Sequence, residues 1–293
     1  MKKSIIILAL IAFILQISTL QSQEVEVKIK GGFKECTAYS YTVESGKPVN
    51  DNKEKIFHAK YNDKGYLIEL YSFNLGIKQV FKYDDKGNQI EIQAYDTNGI
   101  ACNKMTMQYD VNGNLLEYVE NNAKGALLEK QVTKYNSQGK MIENLKSYIS
   151  PDNDSKRIYK YDERGNLSEE LWYLSDGKLE YRIIHNYNSK VKETEDDTYN
   201  SDGTLDWKKI YKYDSKGNKI EEVNYEDGGT FASKTTFDYD SKGQLNEKAE
   251  YNTDGSLSAI YTFKYDKFGN RVEEVDNNKF IKRVLKIEYV YTK

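Results

Sequence analysis

Nine tyrosines, Tyr83, Tyr109, Tyr135, Tyr161, Tyr187, Tyr213, Tyr239, Tyr265 and Tyr291, follow one another at intervals of 26 residues, and Tyr61 precedes Tyr83 by 22. A fixed period of this kind marks a repeat architecture, in which one supersecondary unit recurs and buries its apolar face only against its neighbours. After each tyrosine from Tyr61 to Tyr265 stands Asp or Asn. Four positions after the tyrosine comes Gly65, Gly87, Gly113, Gly139, Gly165, Gly217, Gly243 or Gly269, with Val191 the exception. A second glycine set (Gly99, Gly125, Gly177, Gly203, Gly229 and Gly255) keeps the same period, and Pro151 fills its vacant slot.

Two turn signals per period leave segments such as LSEELWYL (167–174) and KLEYRIIHNY (178–187), whose Tyr, Ile, Val and Leu content and length suit strands. In YDERGN (161–166) the aspartate can cap a type I turn, and Gly165 supplies the left-handed conformation that closes a hairpin. Each unit therefore reads as a β-hairpin plus a link. Simple alternation after the turn sets Tyr161 opposite Leu167 and Tyr159 opposite Glu169. The expected core face then carries Tyr159, Tyr161, Leu167, Glu169, Leu171 and Tyr173. Lys82, Lys134, Lys160, Lys212 and Lys264 mark the opposite, wet face. About twenty short strands result, and open twisted sheets rarely exceed about ten without curling. The expected fold is all-β: an elongated, curled antiparallel β-meander or spiral of tandem 26-residue β-hairpin repeats.

The regular array spans 61–293. Residues 24–60, with EVEVKIK and ECTAYSYTV alternating like strands, read as a degenerate N-terminal capping repeat. Residues 1–23 read as a signal peptide: Lys2 and Lys3 precede an apolar run from Ile5 to Leu15, which is shorter than the roughly 20 residues a membrane span requires. Export to the periplasm, the cell surface or the extracellular space is expected, with no stable membrane insertion after the signal is removed. A formal net charge of −3 without a basic block argues against nucleic acid as partner. Cys36 and Cys102 lie about five strands apart, roughly 24 Å at about 4.8 Å per strand. A disulfide needs Cα atoms within about 7 Å, so a bond would require the sheet to curl back on itself.

The most regular acid is the glutamate four places after each turn glycine: Glu69, Glu91, Glu117, Glu143, Glu169, Glu221, Glu247 and Glu273, with Glu195 in the slot after Val191. Equivalent positions two strands apart are separated by about 9.6 Å, too far to share a metal that needs oxygens at about 2 to 2.6 Å. These glutamates are therefore expected to accept hydrogen bonds from tyrosine hydroxyls. His58 and His185 sit inside strand segments, and no motif brings ligands to either, so no catalytic, metal or cofactor residue is assigned. Trp172 and Trp207 are expected on the wet face or near the second turn, as contacts for a glycan or a protein partner. The turn at Val191 is expected to relax to another form, because a β-branched residue resists the left-handed region.

The motifs YDDKGN, YDERGN, YDSKGN and YDKFGN resemble the YD repeats of Rhs-type bacterial surface and toxin-delivery proteins, across roughly residues 61 to 291. The resemblance implies a β-sheet spiral and an exported repeat scaffold. The chain is short for the closed shells of that family and shows no counterpart of their self-cleaving core region, so toxin delivery is not carried over. The expected function is a non-enzymatic scaffold or protein-interaction module. The alternative is a carbohydrate- or cell-wall-binding module using its aromatic side chains.

Overall fold

The computed structural model describes residues 30–44, 47–48, 53–278 and 283–293; the signal segment 1–23 lies outside the described residues. Strand Glu35–Glu44 pairs antiparallel with Glu54–Tyr61 on one side and with the last strand, Arg283–Thr292, on the other. From Glu54–Tyr61 onward every strand pairs antiparallel with the next in sequence, and Arg271–Asn278 joins Arg283–Thr292. The two-residue strand Lys47–Pro48 pairs only with the end of Glu35–Glu44. The other twenty strands thus form a closed antiparallel barrel, where the sequence pattern had led us to expect a curled meander or spiral. Closure follows from the stretch ahead of the tyrosine series. Cys36 pairs with Tyr291 and Ala38 with Tyr289, so the first and last ladders satisfy each other and leave no open edge between them.

The turns form as their residues dictate. At Asp162 the carboxylate accepts the Asn166 N–H at 2.7 Å and the Asn166 side-chain amide at 2.9 Å, while Gly165, at φ +83°, donates its N–H to the Asp162 carbonyl. Immediately beyond the turn the register slips: Tyr161 opposes Leu167, but Lys160 opposes Glu169, leaving Ser168 as an extra residue. The same shift follows Tyr61, Tyr83, Tyr109, Tyr187, Tyr213, Tyr239 and Tyr265. Because side chains alternate with period two, one inserted residue moves everything after it to the other face.

The expected face assignment is therefore corrected for the second strand of each hairpin. Glu169 stands beside Lys160, not Tyr159, and pairs with Lys160 (2.5 Å) and with Arg182. Glu91 bridges Lys82 and Lys104, both at 2.8 Å, and Glu143 bridges Lys134 and Lys156 at 2.6 and 2.8 Å. These ammonium groups hold Glu91 and Glu143 below the usual carboxylate range. The tyrosine hydroxyls turn instead to the backbone. Tyr83, Tyr109, Tyr135, Tyr161, Tyr239, Tyr265 and Tyr291 each donate to a carbonyl beside the bulge of the preceding hairpin, at 2.6–3.0 Å.

A single closed sheet has no second layer, so only its concave side can bury side chains. Gln79, Phe81, Ile92, Asn103, Met105, Met107, Tyr118 and Glu120 are buried and share the tyrosine face, which is the inner wall. An apolar cluster of Phe81, Ile92, Met105, Met107 and Tyr118 packs there. Buried polar groups beside it find partners: the Asn103 amide donates to Glu120 at 2.7 Å and the Asn144 amide to Thr133 at 3.0 Å. Among the described residues no large side chain falls below 2% exposure, as expected for a wall whose perimeter exceeds that of eight-stranded barrels filled by their own side chains. Curling does not join the cysteines. Both are free: Cys36 belongs to the inner wall, where burial pushes its thiol up to about 12, and Cys102 to the outer.

Val191 does not relax the turn. It adopts φ +61°, and its N–H bonds the Asn188 carbonyl at 3.0 Å, as glycine does in the other copies. The neighbouring strands hold the register, and the side chain takes the strain.

Three measurements check this architecture. With Cys36→Ala and Cys102→Ala as background, the outward cross-strand pair Thr37→Cys and Val290→Cys is expected to form an intramolecular disulfide, since antiparallel partners lie about 4.5–5.5 Å apart; only intermolecular cross-links would show an open meander. Tyr161→Phe is expected to cost about 1 kcal/mol independent of salt. Glu169→Gln should cost at most about 1 kcal/mol, and that loss should vanish near 1 M salt. A salt-sensitive tyrosine variant beside a salt-insensitive glutamine variant would return the glutamates to the tyrosine face. Val191→Gly is expected to stabilise by about 1 kcal/mol, raising Tm by about 2 °C in thermal unfolding; an unchanged or lower Tm overturns the strained-turn account.

Candidate functional site

Each hairpin places one facing pair on the inner wall, two residues before and nine after its repeat tyrosine. Around the barrel these pairs are Ala59 and Leu70, Phe81 and Ile92, Met107 and Tyr118, Thr133 and Asn144, Tyr159 and Glu170, His185 and Asp196, Tyr211 and Glu222, Phe237 and Lys248, and Phe263 and Glu274. The row begins apolar and becomes ionic. Its centre is His185, in a slot that holds Ala, Phe, Met, Thr or Tyr in the other hairpins.

Three carboxylates converge on that imidazole. Asp196 Oδ1 lies 2.8 Å and Glu193 Oε1 2.7 Å from the same nitrogen, Nδ1, while Glu170 Oε1 lies 3.3 Å from Nε2. The ring is 8% exposed. Two groups fix the acids from outside: the Tyr211 hydroxyl donates to Asp196 Oδ2 at 2.6 Å, and the Trp172 indole N–H donates to Glu170 Oε2 at 3.0 Å. Burial alone would lower the His185 pKa, but Asp196, Glu170 and Glu193 outweigh it and raise it to about 11. Burial works against the Asp196 charge as well, yet bonds from His185, Glu193 and Tyr211 hold that carboxyl below its usual range. Glu193 is pushed up by burial and by its contact with Asp196.

The surroundings explain why these strands differ from the rest. Among the described residues, Tyr187 and Tyr213 interrupt the series of tyrosine-to-carbonyl bonds, and both flank this cluster. Burial, then Glu193 and Asp196, raise the Tyr187 pKa. The donor set of His185 Nδ1, Glu193 and Asp196, whose atoms all lie within 4.8 Å of one another, is of a kind that can hold a metal ion.

The two tryptophans are not on the outer wall. Trp172 stands on the inner wall beside Glu170, with the Arg157 guanidinium 3.5 Å over its ring and Tyr181 edge-on at 6.5 Å. Trp207 also faces inward, near the second turn and opposite Thr198 and Glu226, and is only partly buried. The bulge that moves Glu169 outward brings Trp172 inward. His58, by contrast, is on the outer wall with Nδ1 2.9 Å from the Thr37 hydroxyl. Sequence reasoning missed Arg157, Glu170, Glu193, Asp196 and Tyr211. The signals available were the acid run ETEDD at 193–197 and a histidine in an otherwise apolar or uncharged slot.

No protein-family model matches the chain, and no curated protein matches it in sequence. Among solved structures it is similar to the Tc holotoxin pore of Photorhabdus luminescens, at 12% identity and a TM-score of 0.35, over 81% of this chain and 17% of that one. The chain thus spans about a sixth of the Tc toxin chains it matches. A porin-like protein from Bacteroides uniformis is 10% identical at a TM-score of 0.41, covering 89% of this chain and 96% of that one. A putative outer membrane lipoprotein-sorting protein domain from Vibrio parahaemolyticus is 11% identical at 0.21, covering 94% and 91%. Likenesses at these scores determine neither topology nor function.

Proposed function

We propose that this chain is an exported, non-enzymatic scaffold of the YD-repeat type, which receives a protein partner on its inner wall. One observation carries the reading: the repeated chemistry is consumed by the wall itself. Repeated tyrosines bond carbonyls, repeated aspartates cap turns, and repeated glutamates pair with lysines. What remains for recognition is what does not repeat, and on the inner wall that is the stretch from Arg157 to Glu226. The paired charges of the outer wall also favour water over lipid, since a membrane barrel presents an apolar band about 25 Å tall and an outward lysine at mid-bilayer costs about 2–4 kcal/mol.

A glycan partner is the second reading, and Trp207 favours it. Trp172 has one ring face covered by Arg157, whereas Trp207 is partly exposed on the inner wall and suited to stacking on a sugar ring. A glycan array probed with the wild type and with Trp207→Ala separates the two. The scaffold reading expects no glycan signal that depends on Trp207. A specific glycan bound by the wild type and lost in Trp207→Ala replaces it with the lectin-like reading, and turnover of any bound glycan overturns both.

A further inference from the structure

We propose that His185, Glu193 and Asp196 form a site for one first-row divalent cation on the inner wall, with Glu170 positioning the histidine. The site stands on its own residues and is independent of which partner the barrel receives.

The geometry of Nδ1 is the starting point. An imidazole nitrogen carries at most one hydrogen, yet two carboxylate oxygens approach this one at 2.7 and 2.8 Å. One hydrogen serves one acceptor well. A metal ion in its place serves all three donors together, at about 2.0–2.2 Å each, and the tetrahedral edge that follows is about 3.4 Å. The two oxygens need only draw back from the nitrogen by roughly two-thirds of an ångström. Glu193 sits just past the Val191 turn and Asp196 directly opposite His185 in the ladder, so the donors come from two adjacent, well-held strands.

The second observation is the other ring nitrogen. His185 is more than nine-tenths buried, and Nε2 has no hydrogen-bond partner among the described residues, although Glu170 Oε1 stands 3.3 Å away, within ion-pair range but off the line a hydrogen bond needs. With a metal on Nδ1 the remaining ring hydrogen is on Nε2, and a small rotation of the ring points it at Glu170. A metal-bound histidine whose second nitrogen donates to a carboxylate is the usual way such ligands are oriented. Glu170 is already held by the Trp172 indole, and Asp196 by the Tyr211 hydroxyl.

Charge and ligand type narrow the ion. Three carboxylates surround one imidazole, so a dication that displaces the Nδ1 proton compensates them better than the proton does. One nitrogen and two oxygens fit zinc, cobalt or manganese, whereas calcium takes six to eight oxygens. Three protein ligands leave one tetrahedral position for water.

The test uses the purified protein, stripped with a chelator and titrated with zinc chloride in a calorimeter, with cobalt chloride as a spectroscopic probe. The expected result is one equivalent bound with micromolar or tighter affinity, a raised Tm, and cobalt visible bands of a low-coordinate site. Glu193→Gln and Asp196→Asn should each weaken zinc at least tenfold, and Glu170→Gln by about 10- to 100-fold with unchanged stoichiometry. Absence of stoichiometric zinc or cobalt binding by the folded wild type overturns the proposal, as does unchanged affinity in Glu193→Gln. Should the variants fail to fold, X-ray absorption of the zinc-loaded wild type decides: nitrogen and oxygen scatterers alone support the site, and a sulfur scatterer places the ion at a cysteine instead.

Discussion

One extra residue after each turn governs this molecule. Had the strands alternated without interruption, Glu169 would lie among tyrosines and Trp172 would face solvent. With Ser168 inserted, Glu169 joins Lys160 and Arg182 on the outside, and Glu170 and Trp172 turn inward. The bulge is also where the tyrosine hydroxyls attach, each to a carbonyl of the preceding hairpin. A device that breaks the ladder locally thus links neighbouring hairpins. Since a backbone acceptor is present whatever side chains surround it, the same bond can recur in hairpins whose other residues differ.

Closure depends on a different part of the chain. Twenty strands of accumulating twist bring the last ladder back toward the first, but only a strand with free N–H and C=O groups on both sides can join them. Glu35–Glu44 is that strand, bonding Glu54–Tyr61 and Arg283–Thr292 together. It lies outside the tyrosine period, so the repeat alone gave no reason to expect a ring. The hairpin count, the turn positions and the antiparallel order were all legible, because Gly165 and its equivalents must sit where φ is positive.

The site was less legible, for a physical reason. Which residues face inward depends on the bulge, and the bulge carries no turn-type signature: its slot holds Ile90, Leu116, Ile142, Ser168, Thr194 or Ile220 and only once an asparagine, Asn246. Without it, Glu170 and Asp196 are assigned to the wet face, and His185 loses its neighbours. Val191 misled in the opposite direction. Its local preference pointed to a relaxed turn, yet the strands on either side, each bonded to a further strand, outweigh one strained residue.

The inner row also separates what the fold needs from what it carries. The slots of His185 and Asp196 are filled in other hairpins by Phe81 and Ile92, or by Met107 and Tyr118, and those hairpins close with the same turn and bulge. Replacing a buried ionic cluster by apolar residues of similar size is often neutral or stabilising, because desolvation of the charges offsets their attraction. A histidine ringed by three carboxylates, two of them held in place by a further side chain, is therefore not what keeps these strands together. The fold tolerates it where an apolar pair would serve, so its arrangement is better explained by what it binds than by what it stabilises.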